Sequence, residues 1–132
     1  MTHDIGLILW AMLAFQVKHF ICDFMLQTQR QVQNKGIYGH PAGISHAAFH
    51  GMTSLPALFI LTANAGVIGA IVVAEFLVHY HCDWLKSNID RVFKLSMERN
   101  VYWMIFGLDQ FIHQLTYLAI VFVIIREGWL RA

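Results

Sequence analysis

Charge is scarce in this sequence. Asp, Glu, Lys and Arg make up only 13% of its residues, where a soluble domain carries about 25%. That shortage excludes an ordinary water-facing surface. Basic charge is not in excess either, because the formal net charge is +1. A chain so balanced has no basic face with which to hold a phosphate backbone, so nucleic acid is excluded as a partner. Cysteine is nearly absent: Cys22 and Cys82 form neither a disulfide framework nor a C-x-x-C ligand pair. The opening MTHDIGLILW has no basic n-region and no small-residue cleavage site close behind its apolar run. It is therefore expected to stay on the mature chain rather than leave as a signal peptide.

What the chain does have is apolar length. Hydrophobic residues make up 58% of its 132 positions, and the mean hydropathy is +0.54. Four apolar segments stand out, at about 5–26, 42–62, 67–85 and 101–125. Each is long enough to cross a hydrocarbon core of about 30 Å. The expected fold is all-α, an integral membrane four-helix bundle running up-down-up-down, with residues 1–132 as one transmembrane domain. The first connection, TQRQVQNKGIYGHP, is polar and holds Gly and Pro breakers. The second, TANAG, is a tight uncharged turn. The third, KSNIDRVFKLSMERN, sets Ile89, Val92, Phe93 and Met97 among charges at helical spacing. It predicts a short interfacial helix between spans 3 and 4. Gly51 and Pro56 are expected to bend the second span.

Basic residues set the expected orientation. Arg30, Lys35, Lys86, Arg91, Lys94 and Arg99 lie in the first and third connections, against Arg126 and Arg131 on the other side. The positive-inside rule puts those connections in the cytoplasm and both termini outside. The expected location is a bacterial inner membrane, crossed several times.

Against this apolar background each span carries one pair of metal-type ligands. The pairs are His19 and Asp23, His46 and His50, His79 and Asp83, and Asp109 and His113. Every pair is spaced i,i+4, which sets both side chains on one helix face, one turn apart. In an up-down bundle all four pairs fall at a similar depth, about 18–27 Å from the outer ends of the spans, towards the cytoplasmic side. Five imidazoles and three carboxylates suit Zn, Fe or Mn better than Ca or Mg. They exceed the needs of one tetrahedral ion. The expected cofactor is two divalent transition-metal ions, zinc first, with one Asp bridging. A metal partner would also offset the cost of carboxylates in a span.

Other polar residues take supporting roles in this reading. Asp109 or Glu75 is the candidate general base, Glu75 being equally a ninth ligand, a relay or a hydrogen-bond partner. Gln27, Gln110 and Gln114 orient the ligands. Lys18, Lys35 and Lys86 anchor the membrane edge or hold a substrate phosphate. His3 and His40 are expected to be solvated, His81 to face another way, and Cys22 and Cys82 to fill space. Trp10, Trp84 and Trp103 join core and interfacial belt.

At KHFICDFMLQ, Asn34-Lys35, HAAFH, HYHCDWLK and DQFIHQ the chain resembles a family of small polytopic membrane proteins of bacteria and phages, a domain of unknown function. The shared pattern is H-x3-D-x3-Q, H-x3-H, H-x3-D-x2-K and D-Q-x2-H, one motif per span. A looser similarity is to YdjM-like membrane-bound metal-dependent hydrolases, which implies phosphoester hydrolysis. The function expected from residues and resemblance together is an intramembrane dinuclear metal-dependent hydrolase. Its partners would be the lipid bilayer, a lipid or lipid-linked substrate and, in a homodimer, a second copy. The rival readings are a metal or proton carrier, a haem-binding bundle, and a bundle stapled by structural metal.

Overall fold

The computed structural model describes residues 2–131, which form helices and short connections with no strand. Helix α1 spans Thr2–Phe20 and continues as a π-helical turn, Ile21–Met25. Helix α2 is short, Gln29–Asn34. Helices α3, Pro41–Thr53, and α4, Leu55–Leu61, together make the second long rod. Helix α5 covers Ala65–Val92 and α6 covers Asn100–Arg126. Four helical stretches are long and apolar enough to cross a membrane: Thr2–Met25, Pro41–Leu61, Ala65–Val92 and Asn100–Arg126. The chain is a multi-pass membrane protein by that measure. Its outer faces agree, since Leu9, Trp10, Leu13, Phe111, Leu115 and Phe122 are exposed. Rods that are apolar on the outside as well as within are membrane spans.

Helices α2, α3 and α5 start where the sequence supplies a cap. Thr28 and Gln31 form a capping box for α2. His40 accepts from Ala42 N at 3.1 Å ahead of Pro41, which stands at a position where its missing N–H costs nothing. His40 is thus the cap of α3 and not the free loop histidine expected from sequence. Asn64 accepts from Val67 N and starts α5.

The second rod breaks at Ser54, because Pro56 has no N–H to continue the helical ladder. Ser54 N turns to Gly51 O instead. The His50 carbonyl then accepts from the Lys18 ammonium at 3.0 Å and from the Ser54 hydroxyl at 3.2 Å. Close to this break, α3 lies hard against α5 at Gly51, where an added Cβ would stand 3.1 Å from the Val72 carbonyl oxygen.

The interfacial helix expected between spans 3 and 4 is not a separate element. Nothing between Trp84 and Val92 interrupts the helical ladder, so α5 simply runs on through those residues. Lys94, at φ 49°, turns the chain towards α6. The extra short helix is α2, in the first connection, where its capping box was present in the sequence as TQRQ.

Polar and apolar interiors are segregated along the bundle. The apolar core gathers Ala11, Phe15, Leu58, Leu61, Ile120 and Ile124, with neighbours around them. The buried His and Asp residues gather at the other end of the same rods. They follow the apolar residues in α1 and α5 and precede them in α3–α4 and α6. The C-terminal tail folds back on the apolar end, where Arg131 N donates to Leu61 O at 2.7 Å.

Candidate metal centre

The bundle brings the four i,i+4 pairs face to face. His46, His50, His79, His113, Asp83, Asp109 and His19 are buried, and Asp23 nearly so. The π-helical turn supplies Asp23: Leu26 N reaches back to Ile21 O at 2.9 Å, so one wide turn carries the carboxylate. Such turns recur at functional sites.

Asp23 is one hub. His50 Nε2 lies 2.9 Å and His46 Nε2 3.1 Å from its Oδ1, and His19 Nε2 lies 3.2 Å from its Oδ2. Asp83 is the other. His46 Nε2 stands 3.3 Å and His79 Nε2 3.5 Å from its Oδ2; His113 Nε2 stands 3.8 Å and the Lys35 ammonium 3.1 Å from its Oδ1. The imidazoles pack as a column, His50 on His79 at 3.8 Å between ring centres and His79 on His113 at 4.2 Å.

Hydrogen bonding alone cannot satisfy this cluster. His46 Nε2 has Asp23, Asp83, Gln27 Nε2 at 2.9 Å and His79 Nε2 at 3.3 Å around it. One ring nitrogen offers either one proton or one lone pair, so it cannot both donate to the two carboxylates and accept from the Gln27 amide. Several buried atoms nearby make no hydrogen bond, among them Asp83 Oδ2, Asp109 Oδ1 and His113 Nε2. Buried polar atoms left so are uncommon in native proteins.

A cation resolves the same geometry. Four ligands about 2.0–2.1 Å from a tetrahedral ion stand about 3.3 Å from each other. The separations of 2.9, 3.1 and 3.3 Å around Asp23, His46, His50 and His79 approach that edge length from below. Two donor groups fall within reach of one ion each: Asp23, His46, His50 and His79, and then His79, Asp83 and His113. His79 belongs to both and can serve only one ion through Nε2. Asp83 faces both groups, its Oδ2 towards His46 and its Oδ1 towards His113.

Two of the eight expected ligands stand outside these groups. His19 commits both ring nitrogens to hydrogen bonds, Nδ1 to Tyr117 Oη at 3.0 Å and Nε2 to Gln110 Oε1 at 2.9 Å. It braces Asp23 from the side. Asp109 lies 3.6 Å from His113 Nε2, and its Oδ2 accepts from Gln110. Gln27 and Gln110 each touch a site imidazole. Gln114 Oε1 makes no hydrogen bond.

The lysines divide. Lys18 is not a membrane-edge anchor: it is buried in an ion pair with Glu75 and lies 4.7 Å from the centre of the Tyr117 ring. Two opposite charges in neighbouring spans neutralise each other more cheaply than either could reach the interface. The same pair counts against Glu75 as the general base, since the Lys18 ammonium occupies its Oε1. Lys35 does reach the site, from the α2–α3 connection. Burial opposes its charge, but Asp83 beside it, with Asp23 and Asp109 beyond, holds its pKa above the ordinary lysine value. Lys86 pairs with Asp90 at 2.7 Å. His81 faces away, to Tyr38.

The connection carrying Lys35 is built onto α5. Gly39 N donates to Tyr80 Oη at 2.6 Å, and Asn88 Nδ2 donates to Gly36 O at 2.9 Å. Sequence reasoning missed Tyr117 and Tyr80 as site supports; nothing but their position in a span marked them.

The chain belongs to the family described as protein of unknown function (DUF3307), whose model matches residues 11–130. That stretch contains all four motifs. Neither a curated protein nor a solved structure matches the chain.

Proposed function

We propose that this member of the family is an intramembrane enzyme that uses two divalent transition-metal ions to hydrolyse an ester-type bond in a membrane-resident substrate. The observation that carries the reading is the donor spacing, close to a tetrahedral edge, among groups that hydrogen bonding leaves in conflict. Asp23, His46, His50 and His79 would hold one ion, and Asp83 and His113 the other. Imidazole and carboxylate donors favour zinc, iron or manganese. Such ions polarise an ester oxygen and acidify bound water to a pKa near 7.

This chain's own residues do the rest. Asp109, outside both donor groups with Oδ1 making no hydrogen bond, takes the proton as general base. His19 and Gln110 hold the carboxylates in register. The opposite segregation of polar and apolar residues in successive rods supports an up-down-up-down course. With the basic residues at the polar end, it favours a cytoplasm-facing site, outside termini and a bacterial plasma membrane. A carrier reading is disfavoured by the closed apolar core of Leu58, Leu61, Ile120 and Ile124 beyond the site.

Elemental analysis of the purified protein tests the reading. Two equivalents of one transition metal are expected, falling in Asp23→Ala and Asp83→Ala. Wild-type metal content in both variants, or no metal in the parent, ends it.

A further inference from the structure

Along the C-terminal turns of α5 lie three hollows that share walls, the first against α2 and the α2–α3 connection and the other two against the start of α6. The first is a polar cleft of about 390 Å³, walled by Gln33 and Lys35 on one side and Lys86, Ser87 and Arg91 on the other. The second is an apolar cavity of about 80 Å³ lined by Leu85, Ile89, Ile105, Leu108 and Ile112, with Asp109 in its wall. The third, about 260 Å³, continues along Ile89, Phe93, Leu95, Val101 and Ile105. Lys86 borders the first and second, Leu95 the first and third, and Ile89 and Ile105 the second and third. The result is one trough that turns from polar to apolar at Lys86.

We propose that this trough binds a single anionic phospholipid, its phosphoryl headgroup in the polar cleft and an acyl chain along Ile89, Ile105 and Leu108. This deepens the reading above by naming the substrate class, and it rests on that reading for the chemistry that follows binding. Charge complementarity selects the headgroup. Lys35, Lys86 and Arg91 line the cleft, and Asp90 is the one carboxylate among its described lining residues. With Lys35 balanced by Asp83, Lys86 and Arg91 against Asp90 leave one positive charge in excess, and Lys35 once released makes two, which matches a phosphomonoester at about −1.5 to −2. Lys86 is already set for the task. Its ammonium lies over the Tyr102 and Phe106 rings, 4.9 and 5.4 Å from their centres, and Asp90 holds it at the cleft wall at 2.7 Å. Lys35 connects cleft to metal centre. Its ammonium balances Asp83 at 3.1 Å, and a cation bound to Asp83 takes over that balance, leaving Lys35 for the phosphoryl group. The trough thus meets the candidate site twice, through Lys35 and through Asp109, on either side of where the ester linkage would lie.

The test uses the full chain in detergent micelles and phosphatidic acid bearing a fluorescent acyl chain, with metal content measured on the same samples. Phosphatidic acid is expected to bind at least tenfold more tightly than phosphatidylcholine. Lys86→Gln and Arg91→Gln should each weaken it about tenfold, as the loss of a charge-assisted hydrogen bond does, while Lys86→Arg retains it. Ile105→Trp, which fills the apolar part and leaves every charge in place, should also abolish tight binding. If that variant does not fold, Leu108→Phe stands in for it. Equal binding of the two lipids overturns the proposal, and so does equally effective competition by water-soluble glycerol phosphate. Full metal content with lipid binding unchanged in Lys86→Gln and Ile105→Trp sinks the lipid site alone. Selective lipid binding by a protein without metal sinks the enzyme reading alone.

Discussion

Asp83 accepts approaches from three imidazoles and an ammonium, and Asp23 from three imidazoles. Around them the residues divide by what they touch. Tyr117 reaches the candidate ligands through His19, by an Oη–Nδ1 bond of 3.0 Å, so its effect on a metal passes through that imidazole. Tyr117→Phe should lower metal affinity 10- to 100-fold, as loss of such outer partners does. Competition against a chromogenic chelator would measure it, and unchanged affinity would remove Tyr117 from the site. The Lys18–Glu75 pair makes a different prediction. Removing one partner of a buried pair leaves an unpaired charge and costs about 3–5 kcal/mol, whereas replacing both with apolar residues can be neutral. Lys18→Met should therefore destabilise strongly and Lys18→Met with Glu75→Leu far less, by denaturation in micelles. If the double variant is as unstable as the single one, the pair's main contribution is the Lys18 bond to the His50 carbonyl.

At the scale of elements, the site depends on two departures from regular helix. The π-helical turn carries Asp23, and the break at Ser54 frees the His50 carbonyl for Lys18. Nearby, α3 meets α5 where Gly51 has no Cβ. Gly51→Ala would press a methyl to 3.1 Å from a carbonyl oxygen on a neighbouring backbone. Such overpacking costs about 1–3 kcal/mol, so a lower unfolding midpoint is expected. Wild-type stability in this variant would mean that the two helices are freer to separate than their spacing implies. The α2–α3 connection is an element of the same kind. Tyr80→Phe removes its bond to Gly39 N and should cost about 1 kcal/mol. That loss would be read as faster amide exchange in residues 35–40, and unchanged exchange would show the connection held by its other contacts.

The whole molecule keeps an apolar core at one end and a cluster of ionisable groups at the other. The second half has little hydrophobic packing to hold it, so its stability should depend on what the ligands bind. A metal that binds only the folded state stabilises it by mass action. Stripping with a chelator should thus lower the midpoint of thermal unfolding, and readdition should restore it. A chelator-treated, metal-free protein with an unchanged midpoint would show that the cluster is stable without a metal.

The sequence by itself determined that four apolar rods exist, because hydropathy over about 20 residues needs no knowledge of neighbours. It also determined which residues share a helix face, because i,i+4 spacing is a property of one helix. Hence Asp23, His46, His50, His79, Asp83 and His113 were legible within the set of four pairs before any packing was known. What no single helix contains, only the tertiary structure decided. That Lys18 meets Glu75 rather than the interface is a contact between residues 57 apart. That His19 is held by Tyr117 and Gln110 depends on how α1 is turned against α6. The continuation of α5 in place of a separate interfacial helix follows from a ladder that amphipathic spacing alone does not end. The trough along α5 belongs to the same class, since a hollow is a relation between two surfaces and has no sequence of its own.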